Sequence, residues 1–180
     1  MKGLVFTEFL EMVEETYGYE LVDEVLAETH LPSGGTYTSV GTYDHQEMVA
    51  LVGKLSEKLQ TPVPDLLRLY GQYMFASFKR NYSHFIDRSH TAFDLLNSIQ
   101  HHIHVEVRKL YPDAELPHFT VTQPSDDHLV MHYESERKLA DFAQGLIEGC
   151  LAHYGQQATV VQSRRQANDG GDVVFDIQKA

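Results

Sequence analysis

Residues 119–137, FTVTQPSDDHLVMHYESER, lie where the sequence pattern of this chain changes from helical to extended. Two runs of β-branched and aromatic residues, at 119–122 and 129–133, flank a turn-forming segment at 124–127. Such side chains favour strands, whereas proline, serine and aspartate favour turns. The pattern therefore predicts a β-hairpin.

The sequence after residue 137 predicts one helix and a second hairpin. Residues 139–154 carry apolar side chains at helical spacing. Residues 158–161 and 172–177 are again rich in valine and alternate in polarity, and the turn between them is predicted at 168–171.

Before residue 119, apolar residues recur every three or four positions, which is typical of amphipathic helices. The predicted helices cover residues 3–17, 19–29, 46–59, 64–78 and 91–110. Asp44 is the expected N-cap of the third helix. The predicted fold class is α+β: a helical amino-terminal part followed by an antiparallel sheet packed with helices.

Length and charge restrict the possible functions. The 180 residues predict a single domain over 1–180, and 26 acidic against 14 basic residues give a net charge of −12. This charge argues against nucleic acid as a partner. Membrane insertion is not expected either, since no run approaches the roughly 18–20 apolar residues that a span requires. A cytoplasmic location is expected, and the single Cys150 is interpreted as a packed residue.

Three histidines lie together within residues 100–107, QHHIHVEV, on a predicted helix. A regular helix places His101 opposite the apolar stripe, with His102 and His104 on its two flanks. The stripe consists of Leu96, Ile99, Ile103, Val107 and Leu110. His102 and His104 could each reach a buried metal or haem, and the helical wheel does not choose between them. The alternative, favoured from the residues alone, is that all three are surface or boundary histidines.

Tyr133, Ser135 and Arg137 alternate with two glutamates at the end of the second predicted strand. Positions i, i+2 and i+4 share one face of an extended chain. A phenol, a hydroxyl and a guanidinium on one face are donors suited to a carboxylate or phosphate. The alternative is a simple strand end, with Ser135 as a helix cap and Arg137 in solvent.

These features together resemble the bacterial stand-alone H-NOX (haem nitric oxide/oxygen-binding) domains, which are related to the haem domain of soluble guanylate cyclase. The resemblance runs from end to end of the chain. It is carried by residues 1–5 (MKGLV), 71–72 (GQ), 103–107 (IHVEV), 110–112 (LYP), 116–119 (LPHF), 133–137 (YESER) and 145–149 (GLIEG). The fold implied is the H-NOX fold around a buried haem, with a distal helical subdomain over about 1–60 and a proximal part with the sheet over about 61–180.

The resemblance also implies the cofactor and its contacts. The cofactor would be haem b, with His104 as the axial ligand of the ferrous iron and His101 and His102 in solvent. Pro117 and Val5 match residues that press on the haem and distort it. The haem propionates would be bound by Tyr133, Ser135 and Arg137, which suits two carboxylates in a mostly apolar pocket.

The gas pocket implied by the resemblance is apolar. Phe142 stands where dioxygen-binding members have a hydrogen-bonding tyrosine, and Phe9 and Met74 replace its supporting tryptophan and asparagine. Phe78 and Leu146 complete the expected lining. Because bound dioxygen carries partial negative charge, a pocket without a donor favours nitric oxide over dioxygen.

The expected function is gas sensing and not enzymatic catalysis. Nitric oxide, and also carbon monoxide, would bind opposite His104. Release of His104 would then change the affinity for a separately encoded histidine kinase, as in two-component signalling, or for a cyclic-di-GMP enzyme. The alternative within the same fold is a dioxygen carrier or dioxygen sensor. Cysteines of the zinc site found in several proteobacterial relatives are absent from residues 162–171, so zinc-linked sensing is not expected.

Overall fold

The computed structural model describes residues 1–165 and 170–180. The chain divides into two compact units, Met1–Tyr70 and Gly71–Ala180. The first unit contains helices α1 (Gly3–Tyr17), α2 (Tyr19–Glu28), α3 (His45–Leu59) and the start of α4 (Val63–Asn81). These helices follow the predicted ranges closely. None of the described helices is both long and apolar enough to cross a membrane.

The amino-terminal unit buries one face of α1 and one face of α3. The Asp44 side chain accepts the Gln46 backbone N–H at 2.9 Å, so it is the N-cap that the sequence predicted. The loop that precedes α3 is held by Glu47, which accepts hydrogen bonds from the Ser33 hydroxyl at 2.5 Å and the Tyr37 hydroxyl at 2.7 Å. The buried residues of the two helices are Phe6, Phe9, Met12, Val13, Met48, Leu51, Val52 and Leu55.

The second unit contains the sheet and the remaining helices. The helices after α4 are α5 (Ser83–Ile86), α6 (Ala92–Ser98), α7 (His104–Leu110) and α8 (Ala140–His153). The strands are β1 (His118–Ser125), β2 (His128–Glu134), β3 (Ala158–Arg164) and β4 (Asp172–Lys179), in the antiparallel order β1-β2-β4-β3. Both predicted hairpins are therefore present, although part of the turn predicted at 168–171 lies outside the described residues.

The core of this unit lies on one face of the sheet. Alternate residues of the two central strands are buried, and α6 and α8 cover them. This alternation is that of an antiparallel sheet with one covered face. Cys150 is part of this core, and burial raises the pKa of its thiol to about 12. The inward strand residues are Leu129, Met131, Tyr133, Val173, Phe175 and Ile177.

Helices α4 and α8 approach each other closely at Gly71. A β-carbon at this position would collide with the Phe142 carbonyl oxygen and would lie 2.7 Å from the Leu146 nitrogen. At Gly149, a β-carbon would lie 2.8 Å from that of Phe75. Both glycines are required by the approach of the two helices and not by a positive φ.

The first hairpin differs from its prediction at the turn. Pro124 and Ser125 belong to β1, and the turn is formed by Asp126 and Asp127. The strand pairing is irregular between Thr122 and Ser125. Proline has no N–H to donate to a ladder, so it is tolerated at this irregular point of an edge strand.

The single helix predicted over 91–110 is wrong. Thr91 caps α6, which ends at Ser98 and is followed by a π-helical turn at Ile99–Ile103 before α7 begins at His104. In the π-helical turn the His104 N–H donates to the Ile99 carbonyl, five residues back. The extra residue rotates α7 relative to the regular wheel, so Leu110, predicted to be on the buried stripe, is 54% exposed.

Candidate functional site

His104 is the buried histidine of the cluster. Its side chain lies at the junction of the π-helical turn and α7, and the residue is 9% exposed. The ring centroid is 5.9 Å from that of Phe119. The ring atom Nδ1 is buried and has no hydrogen-bond partner among the described residues. An unpaired buried nitrogen costs free energy.

The surroundings keep this imidazole neutral. Burial lowers the pKa of His104 to about 4, and the nearby charges of Arg108 and His118 act in the same direction. At neutral pH the ring therefore carries a free lone pair. A neutral imidazole is the form of histidine that binds a metal ion.

The two neighbouring histidines have different environments. His101 is exposed. The Nε2 atom of His102 lies 3.2 Å from a guanidinium nitrogen of Arg88, which donates to it at the surface. Across the part of the chain that the structure describes, no three His, Cys, Asp or Glu side chains are grouped to hold a metal ion. The structure thus buries one of the two histidines between which the wheel left the choice open.

Exposure to solvent alternates along the end of β2 and the residues that follow it, as the sequence predicted. Tyr133 is buried, Ser135 and Arg137 are partly buried, and Glu134 and Glu136 are exposed. The three predicted side chains are therefore the less exposed ones of this segment.

The Tyr133 ring packs edge-on against Phe119, at 5.5 Å between centroids. Its hydroxyl accepts the Leu139 N–H at 3.2 Å. Burial is the main cause of a raised pKa for this phenol, which keeps its proton available for donation.

Ser135 and Arg137 form a turn and not a helix cap. The Ser135 hydroxyl accepts the Arg137 backbone N–H at 3.2 Å, and α8 begins only at Ala140. The interpretation of Ser135 as a helix cap is therefore wrong. The guanidinium of Arg137 donates to the Glu115 carboxylate at 2.7 Å; the Arg137 side chain is 18% exposed and that of Glu115 is 84% exposed.

Pro117 lies next to these groups along the chain. It is half-buried and comes directly before β1, two residues before Phe119. Since Phe119 contacts both His104 and Tyr133, this strand start connects the histidine with the tyrosine of the three-residue motif.

Four residues of the predicted gas pocket lie on the helices that meet at Gly71. Met74 is fully buried, and Phe78, Phe142 and Leu146 are partly buried. Met74 and Phe78 follow Gly71 on α4 at spacings of three and seven, which places them on the same face. The side chains at these four positions carry no hydrogen-bond donor.

The remaining two predicted residues lie on α1 in the amino-terminal unit. The Val5 carbonyl accepts a hydrogen bond from the Tyr70 hydroxyl at 2.5 Å. Phe9 is fully buried and packs edge-on against the Tyr70 ring at 5.3 Å. Tyr70 thus fixes the backbone of one of these residues and the ring of the other. Nothing local in the sequence distinguishes Tyr70 from the other apolar positions of α4, so this role is not predictable from the pattern.

A second residue that the sequence analysis missed is Glu8. It is 7% exposed, and its Oε2 atom has no hydrogen-bond partner among the described residues. Its position, three residues after Val5 and one before Phe9, is the available signal: an acid at a core spacing of an amphipathic helix.

Comparisons with known proteins identify the family and the fold. The Haem-NO-binding family model matches residues 2–162. The unliganded Fe(II) H-NOX protein of K. algicida is 39% identical, with a TM-score of 0.94 over 100% of this chain and 97% of that one. The IWP-051-bound Fe(II)CO H-NOX of Shewanella woodyi is 42% identical, with a TM-score of 0.85 over 100% and 95% of the two chains. The Fe(II)NO H-NOX of S. oneidensis is 26% identical, with a TM-score of 0.90 over 100% and 99%. No curated protein matches.

The chain belongs to the H-NOX family of haem-based gas-sensing domains and has the H-NOX fold, so the predicted family and the α+β fold class are confirmed. Membership in the family implies that the protein binds haem. The residues of the carboxy-terminal unit fit such a group: His104 offers a buried, neutral imidazole, and Tyr133, Ser135 and Arg137 offer donors for carboxylates.

Proposed function

We propose that this protein is a nitric oxide sensor that holds ferrous haem b through His104. The observation that carries the proposal is the imidazole of His104, which is buried and held neutral by its surroundings. Haem iron supplies the site at which a diatomic gas binds. The role of the protein is to hold the haem, to set the polarity around the gas and to respond to its arrival.

The propionates are held by Tyr133, Ser135 and Arg137. The guanidinium provides the positive charge that two carboxylates need in a partly buried site, and the two hydroxyl groups donate to them. The present partner of Arg137, Glu115, is largely exposed. A surface ion pair of this kind contributes little to stability, so Arg137 can exchange Glu115 for a propionate with little loss of free energy.

The preference for nitric oxide over dioxygen comes from side chains without donors. Phe9, Met74, Phe78, Phe142 and Leu146 line the gas pocket in this proposal. A hydrogen bond to bound dioxygen in apolar surroundings is worth about 1–3 kcal/mol, and these side chains do not supply it. Bound nitric oxide carries less charge, so its affinity is lowered less by the missing hydrogen bond.

The signal would be the release of His104 when nitric oxide binds. Pro117 and Val5 would lie against the haem and respond to that release. A partner responds only if it binds the two states with different affinity. A separately encoded histidine kinase or a cyclic-di-GMP enzyme is the partner proposed by family resemblance. Carbon monoxide binds at the same position, as the Fe(II)CO form of the S. woodyi protein suggests.

The test is the visible absorption spectrum of the anaerobically reduced protein, recorded before and after nitric oxide and, in a separate sample, after air. We expect a five-coordinate ferrous haem that binds nitric oxide and forms no stable dioxygen complex. A stable dioxygen complex would favour the alternative of a dioxygen carrier or sensor. Failure to bind haem after reconstitution would remove the proposed function altogether.

A further inference from the structure

Gln100 lies within the π-helical turn, four residues before His104. Its side-chain oxygen accepts the backbone N–H of Phe119 at 3.0 Å, across 19 residues of sequence. Both residues belong to the carboxy-terminal unit. The bond therefore ties the turn that carries His104 to the first residues of β1.

The need for this bond follows from the sheet order. β1 is an edge strand, so the N–H groups on its outer side have no neighbouring strand to pair with. Gln100 supplies the acceptor for one of them. The bond also anchors a turn that needs support, since π-helical turns are rare and lack the regular i→i−4 pattern of an α-helix.

Phe119, whose backbone Gln100 binds, contacts two residues of the candidate site. Its ring lies 5.9 Å from that of His104 and 5.5 Å from that of Tyr133. The hydrogen bond to its backbone therefore fixes His104 against the same residue that contacts the candidate propionate-binding tyrosine.

We infer that Gln100 is a positioning residue that holds His104 in place for the iron and opposes its release. This inference rests on the proposed function. A ligand held in place by its surroundings has less freedom to lose when it binds, so it binds more tightly than a loosely held one. Without the acceptor of Gln100, His104 would gain more freedom on leaving the iron, which would favour its release.

The test compares three variants. Gln100→Met keeps a long side chain but removes the acceptor oxygen, whereas Gln100→Glu keeps an acceptor. His101→Ala is the matched control, because His101 is exposed and is the next residue of the same turn.

The first measurement is hydrogen exchange of the Phe119 amide by NMR, in the reduced, diamagnetic carbon monoxide form and in protein without haem. A net hydrogen bond is worth about 0.5–1.5 kcal/mol, which corresponds to roughly 2–12-fold faster exchange in Gln100→Met. Gln100→Glu and His101→Ala should exchange as the parent does. Unchanged exchange in Gln100→Met would show that the bond restrains nothing, and the inference would fail.

The second measurement is the fraction of protein from which His104 has been released at a fixed nitric oxide concentration, read from the absorption spectrum. We expect the ratio of released to bound His104 to rise roughly 2–12-fold in Gln100→Met and to return towards the parent value in Gln100→Glu. An equal rise in His101→Ala would indicate general loosening of the turn and overturn the inference.

The failures of the two proposals are distinguishable. If the parent binds haem and nitric oxide but Gln100→Met releases His104 no more readily than the parent, only the role of Gln100 is lost. If the parent binds no haem, the proposed function fails and the inference fails with it, even where the exchange of the Phe119 amide confirms the hydrogen bond itself.

Discussion

The π-helical turn at Ile99–Ile103 and the segment from Tyr133 to Arg137 differ in how their geometry arises from sequence. In the second, burial alternates from residue to residue, as the sequence pattern predicts, although the strand itself ends at Glu134. In the first, one extra residue in a turn changes which side chain is buried. The alternation of a strand depends on adjacent residues alone, whereas the direction of a side chain on a helix depends on the summed rotation of all the residues before it. A single insertion therefore rotates everything after it by about 100°.

The strongest test of this comparison replaces the buried histidine and its neighbour. His104→Gly should remove the histidine-ligated ferrous spectrum entirely, because the imidazole nitrogen is lost. His102→Ala should keep that spectrum, since His102 contacts Arg88 at the surface. Imidazole added to His104→Gly should restore the spectrum, and this separates loss of the ligand from failure to fold. Loss of the spectrum in His102→Ala with its retention in His104→Gly would reverse our assignment.

A second test concerns the alternating segment. Arg137→Ala should release haem roughly 10–150-fold faster than the parent, because hydrogen bonds that involve charged groups are worth about 1.5–3 kcal/mol. Glu136→Ala is the matched control from the exposed side of the same turn. The measurement is the rate of haem transfer to an excess of apomyoglobin. Equal rates for the two variants would remove Arg137 from the haem contacts.

The gas pocket can be tested by adding one donor. Phe142→Tyr should raise the affinity for dioxygen by roughly 5–150-fold, which corresponds to a hydrogen bond of about 1–3 kcal/mol in apolar surroundings. Leu146→Met, which adds no donor, is the control. Dioxygen titration of the reduced protein measures the effect. No gain in Phe142→Tyr would mean that position 142 does not face the bound gas.

The last test compares two helical glycines, one held by a tertiary contact and one free of any, through their free energies of unfolding. Gly71→Ala should lower the free energy of unfolding by about 1–3 kcal/mol, since its β-carbon would collide with the Phe142 carbonyl. Gly53→Ala in α3, where a β-carbon meets nothing within 4 Å, should raise it by about 0.5–1 kcal/mol. Urea unfolding of each variant gives both values. A stabilised Gly71→Ala would contradict the close approach of α4 and α8.

The predictable parts of the fold share a physical basis. The boundaries of α1 and α3, both hairpins and the cap at Asp44 follow from interactions within a few residues. The prediction of one continuous helix over 91–110 is wrong because the apolar pattern fits an uninterrupted α-helix as well as it fits two helices joined by a π-helical turn. The sequence carries no local mark of the hydrogen bond from His104 to Ile99 that interrupts it.

Some residues of the candidate site could be predicted from the sequence, and others could be found only in the folded structure. Alternation placed Tyr133, Ser135 and Arg137 on one side from sequence alone, and family resemblance selected His104 where the wheel did not. Neither route found Tyr70, Glu8 or Gln100, although Glu8 offered one signal, an acid at a core spacing of α1. Their roles depend on a carbonyl of α1, on an unpaired buried oxygen and on an edge-strand N–H, each of which exists only after the chain has folded.

The sequence by itself determined the α+β class, the family and the residue types available for a haem, because these depend on periodicity, composition and short motifs. Only the tertiary structure decided that His104 is buried and neutral. The desolvation that lowers its pKa and the bond from Phe119 to Gln100 come from elements brought together by folding. Burial and long-range hydrogen bonds are properties of the packed chain, and no window of sequence contains them.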